Sequence, residues 1–128
     1  MASPRNFFLR RFFWTLFFLG TSATASAGEW LHETVPMVGV QNYFMERCVK
    51  FSAGAKVEFS FTSKYAVNFD VHHHPGNTIV FVTKKEGIHA LSDSFLSAAD
   101  DHYCFTWANP VDVGNDWDIT LKHRVVTQ

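Results

Sequence analysis

From Val57 onward, apolar and polar residues alternate along the chain with a period of two. Val57, Phe59 and Phe61 are interleaved with Glu58, Ser60 and Thr62, and Val67, Phe69 and Val71 with Asn68, Asp70 and His72. Successive side chains of a strand point to opposite faces, so this rhythm predicts half-buried strands. Pro75, Gly76 and Asn77 are turn formers, and the β-branched run at 78–83 behind them predicts the second arm of a hairpin. Residues 84–87 read as the next turn, 88–91 and 94–98 as short strands, and Asp100-Asp101 as a further turn. Two more strands follow at 103–107 and 118–126. Residues 28–41 are mixed, with Pro36 and Gly39 breaking any period, so 28–47 is expected as an extended lead-in to a domain spanning 48–126. No stretch keeps a 3.6-residue period, so helices should be short or absent. About seven short strands with turns at close intervals predict an all-β fold, an antiparallel β-sandwich, with a small barrel as the alternative.

The N-terminus reads differently. Arg5, Arg10 and Arg11 precede a short apolar run at 12–19 and a small-residue stretch ending in Ala25-Ser26-Ala27, the order of a secretory signal peptide cleaved after Ala27. The run is far shorter than the roughly 20 apolar residues that cross a bilayer. An uncleaved anchor is the alternative, although Arg10 and Arg11 interrupt it; the same pair is compatible with a twin-arginine export signal. Without 1–27 the chain is expected to be exported, periplasmic or secreted, with no transmembrane segment.

Charge excludes one class of partner. Of 11 basic residues three lie in 1–27, which holds none of the 12 acidic ones, so 8 basic residues face 12 acidic ones in the remainder, a balance of -4. No basic stripe is left to meet a phosphate backbone, so nucleic acid is not an expected partner. In an exported chain the two cysteines, Cys48 and Cys104, read as a disulfide, expected to clamp two layers of strand and to stabilise the fold by roughly 4 kcal/mol. A thiol nucleophile or a metal-ligand pair is the competing reading, without a Cys-x-x-Cys spacing to support it.

Three groups of residues could carry chemistry. Pleating puts Asp70, His72 and His74 on one face of a strand, where two imidazoles and a carboxylate form half of a copper or zinc site; a solvated polar edge explains them equally, and His89, His102 or His123 would have to supply a further ligand. Tyr103, Phe105 and Trp107 share one side of another strand, either as core or as an exposed binding surface. Asp93, Asp100 and Asp101 sit in turn-like stretches that suit solvated loop residues better than a carboxylate pair. There is no His-Glu-x-x-His, no Gly-x-Ser-x-Gly and no phosphate-binding glycine loop, and no catalytic residue is assigned.

Cys48 followed by Ala53-Gly54 and the alternating 57–61 segment, then Val67-Asn68-Phe69-Asp70-Val71, then Tyr103-Cys104-Phe105-Thr106-Trp107-Ala108-Asn109 together resemble the GOLD domain of the emp24/gp25L/p24 cargo receptors. The resemblance implies a disulfide-tied, jelly-roll-type sandwich used for binding, mostly to proteins, without catalysis. The receptors' coiled coil, membrane helix and cytosolic tail have no counterpart before Gln128, so a free-standing exported module is expected. Two functions follow: a non-catalytic binding module for a protein or small ligand, or a periplasmic copper- or zinc-binding protein using His72 and His74. No cofactor other than such a metal is implied.

Overall fold

The alternating segments become strands because every second side chain finds the same interior. A computed structural model describes residues 26–127, and the signal-peptide reading of 1–27 lies outside them except at its last two positions. The strands are β1 (Ser26–Ala27), β2 (Leu31–Met37), β3 (Phe44–Phe51), β4 (Lys56–His73), β5 (Val80–Leu96), β6 (Asp101–Ala108) and β7 (Trp117–Thr127). All pairings are antiparallel and the described residues contain no helix, as the missing 3.6-residue period predicts.

The two alternating segments 57–61 and 67–71 are halves of one bent strand. The first half of β4 pairs with β7 and the second with β6, while β5 accompanies both halves along the other edge. At the bend, residues 63–66 of β4 stand against His89 alone. Ser63 bridges the irregularity: its hydroxyl donates to the Tyr65 carbonyl (2.7 Å) and accepts from Trp117 Nε1 (3.0 Å), and its own carbonyl accepts from His89 Nδ1 (3.3 Å). The strand thereby passes from one layer to the other. Phe59 and Phe61 come to face Phe69 of the same strand at 5.6 and 4.6 Å between ring centroids. One layer contains β2, β7 and the adjoining halves of β4 and β5; the other contains β3, β6 and the remaining halves.

Three sequence expectations change. The turn expected at 84–87 is a bulge inside β5, so the strands expected at 88–91 and 94–98 belong to one strand with 80–85. Gly87 adopts φ 63°, open to glycine without steric cost, and its amide donates to Asn68 Oδ1 of β4 (3.0 Å), so the partner strand satisfies a donor the ladder has dropped. The lead-in at 28–47 is extended but paired: β2 pairs with residues 117–123 of β7 and puts Val35 and Met37 into the core, and half of β3 also falls in this segment. Pro36 is tolerated because, among the described residues, β2 pairs on one side only. The disulfide, finally, joins neighbours within a layer rather than clamping two. Cys48 and Cys104 are directly opposite on β3 and β6, with Cα atoms 4.0 Å apart, and both point outward.

The core between the layers is aromatic. Phe105 lies 5.4 Å from Phe59, and Trp107 lies 5.8 Å from Phe61 and 5.5 Å from Phe69. His123 of β7 is buried among them, stacked on Phe105 at 5.8 Å with Phe51 edge-on at 6.2 Å, and its Nε2 is buried without a hydrogen-bond partner. Burial holds this imidazole below its ordinary value of 6.5, against the weaker raising pull of Glu33. The unfolded chain therefore takes up a proton near pH 6.5 that the fold refuses, so the His123 contribution is complete above that pH and is lost as pH falls below it. Denaturant titrations at stepped pH should show stability dropping from pH 7 toward 5, and His123→Leu should flatten that drop; an unchanged slope in the variant would assign it to other groups.

Candidate functional site

The residues singled out from the sequence separate onto opposite sides of one layer. Tyr103, Phe105 and Trp107 all point inward and are fully buried, so the candidate binding surface is core. The physical reason is the outward direction of the disulfide: with Cys104 on the outer face of β6, the odd-numbered aromatics must take the inner one. His73 is also inward, stacked on Tyr103 at 4.6 Å, and its Nδ1 meets Asp101 Oδ2 at 3.0 Å. That hydrogen bond, helped by the His102 amide, holds the Asp101 carboxyl below its ordinary value of 3.8.

Asp70, His72 and His74 are on the outer face. His72 is the buried member, gripped at both ring nitrogens: Nδ1 lies 2.6 Å from Asp70 Oδ1 and Nε2 lies 3.1 Å from Glu46 Oε1. The exposed His74 ring stands edge-on to His72 at 4.9 Å. Glu46 comes from β3, and Thr106 Oγ1 donates to it across β6 (3.4 Å). Sequence reasoning missed Glu46. The available signal was register: once Cys48 is opposite Cys104, residue 46 is opposite 106, which in turn is opposite Asp70.

The further ligands considered do not gather here. His123 is in the core, and His89 is committed to the bend of β4. His102 lies on the outer face of β6, one pleat beyond Cys104. The Cys104 sulfur does lie within 4.8 Å of donor nitrogens of His72 and His74, but it is bonded to Cys48 and offers no thiolate.

The aspartates considered for catalysis serve the backbone. Asp100 accepts from the Ala53 amide (2.6 Å), Asp93 from Ser94 (2.8 Å) and Asp101 from His102 (2.8 Å). An open depression of about 370 Å³ on the other layer is lined by Trp30, Glu58, Ser60, Ser92, Ser94 and Lys122, among others. Of its polar groups, Glu58 is bound by Arg124 at 2.8 Å, whose guanidinium lies 4.2 Å over Trp30, and Ser92 donates to Ser60.

A second feature was not visible in the sequence. Ile79, Val80, Phe81 and Val82 are four consecutive apolar residues, each at least one-third exposed, at the start of β5. Among the described residues this strand pairs with β4 and with nothing on its other edge, and Val82 is an extra residue in the register. The free edge therefore presents apolar side chains beside unpaired backbone groups, a combination natural edge strands ordinarily avoid.

No family model matches the chain, and no curated protein matches it. Among solved structures it is similar to the crystal structure of Aeromonas hydrophila PliG, a periplasmic lysozyme inhibitor of g-type lysozyme, with a TM-score of 0.53 and 14% identity over 79% of this chain and 87% of that one. At that identity the likeness is one of fold.

Proposed function

We propose that this chain is an exported, non-catalytic binding module that engages a protein partner along the free edge of β5. The observation that carries the reading is the open strip Ile79, Val80, Phe81 and Val82. It offers main-chain hydrogen bonds and apolar side chains together, which is what strand addition by a partner uses. The disulfide supports an oxidising compartment, and the leader-like 1–27 supports export. The shared fold with a lysozyme inhibitor makes a secreted cell-wall hydrolase the first partner to test. The GOLD resemblance of 48–126 belongs to the same reading, since it too implies a disulfide-tied module that binds proteins.

The test is peptidoglycan lysis by a g-type lysozyme with increasing amounts of the chain. Saturable inhibition at one chain per enzyme is expected, with Phe81→Ala weakening it about 30-fold, the effect of losing a central apolar anchor worth about 2 kcal/mol. Lysis that continues undiminished at saturating chain would remove the hydrolase as partner, and inhibition indifferent to Phe81 would remove the β5 edge as the surface.

A further inference from the structure

We infer that the outer face of the β3–β6–β4 layer is a divalent transition-metal site, with His72 Nε2, Glu46 and His74 as protein ligands and Asp70 as the carboxylate that positions His72. The strongest observation is the spacing of two donors already in place. Ligands held 2.0 to 2.1 Å from a tetrahedral ion stand about 3.4 Å apart. His72 Nε2 and Glu46 Oε1 are 3.1 Å apart, so an ion enters between them with a displacement of a few tenths of an ångström.

The other ring nitrogen supports the same assignment. A metal-binding imidazole commonly donates its second N–H to a carboxylate, which fixes the tautomer and raises the basicity of the ligating nitrogen. Asp70 Oδ1, at 2.6 Å from His72 Nδ1, is placed for that task. Asp70 is therefore a positioning residue here and not the oxygen ligand that its place beside the histidines suggests; the oxygen ligand comes from β3.

Charge points the same way. Two carboxylates flank one imidazole whose side chain is only 9% exposed, while Lys84, the register partner of Asp70 on β5, carries its ammonium over the Phe81 ring at 4.7 Å. A divalent cation between Glu46 and His72 would offset that negative charge directly. His74, at the exposed end of the strand with its ring 4.9 Å from that of His72, is assigned as the third ligand, with solvent as the fourth. The disulfide takes no part as a donor. It holds β3 against β6, and so keeps Glu46 in register with His72.

Nitrogen and carboxylate donors of this kind suit zinc or copper(II). The assignment does not rest on the partner proposed for the β5 edge, although Phe81 of that edge stands edge-on to His72 at 5.9 Å. Its test is calorimetric titration of zinc chloride, and separately copper sulfate, into the chain with its disulfide intact, with circular dichroism recorded for each variant to verify the fold. One metal ion per chain is expected. Glu46→Gln and His74→Ala, both at exposed positions, should each weaken binding at least about tenfold, Asp70→Asn by about 10 to 100-fold, and His32→Ala on β2 should leave it unchanged. Zinc should also raise the melting temperature of the parent chain and not that of the Glu46→Gln, His74→Ala double variant. Absence of uptake, or uptake that Glu46→Gln and His74→Ala leave intact, would overturn the assignment.

Discussion

Replacing Cys48 and Cys104 together by alanine lowers the unfolding free energy by about 4 kcal/mol, the chain-entropy value for a bridge closing a loop whose ends are 56 residues apart. For a domain of about 100 residues that is a large part of the usual total of about 5–15 kcal/mol. It also corresponds to a drop in melting temperature of at least about 15 °C. The bridge links β3 to β6, its only strand partner among the described residues, so the variant should also lose protection of the β3 amides first. Urea denaturation of the parent, the reduced parent and the double variant measures the effect. A loss below about 1 kcal/mol in both reduced forms would mean that β3 is held by packing alone.

Phe105→Ala has an effect of similar size for a different reason. Its ring is completely buried and touches Phe59 of the opposite layer, Phe95 of β5 and the His123 ring, so truncation leaves a cavity that three strands cannot fill without moving. The expected cost is about 3–5 kcal/mol. Had Tyr103, Phe105 and Trp107 formed an exposed platform, the same substitution would alter binding and leave stability near the parent value. Chemical denaturation of the variant separates the two, with the buried position requiring a large stability loss.

The strand rhythm was readable where one face of a strand is buried and the other wet, as in 57–61, 67–71, 103–107 and 118–126. Pro75, Gly76 and Asn77 marked the hairpin because the turn needs their backbone preferences. What the rhythm could not convey was continuity. Residues 63–66 look like a connection because they break the alternation, yet the break is the bend that carries β4 between layers. Strand β2 was illegible because it has few inward positions, among them Val35 and Met37, and contains a proline that only an edge strand accepts. Strand β3 carries apolar residues toward both faces, with Phe44 exposed and Phe51 buried, so no period appears.

The site was half legible for the same reason. Pleating alone puts Asp70, His72 and His74 on one face, a local property of five consecutive residues. Glu46 reaches them only through two successive strand pairings, β3 with β6 and β6 with β4, and nothing in its own neighbourhood marks it. The direction of the aromatic stripe likewise depended on which way Cys104 points, a fact of tertiary structure. The exposed run at 79–82 resembles any buried strand in sequence; only its place on an unpaired edge makes it unusual.

Amide hydrogen exchange of the chain, free and mixed with a g-type lysozyme, is the most direct measurement of how this molecule meets a partner. If the open margin of β5 receives it, the amides within 79–85 that point away from β4 exchange freely alone and become protected in the mixture, while those of β2 and β7 keep the same rates. Protection that falls instead on β2 or around the Trp30 depression, or no protection anywhere, would contradict the account.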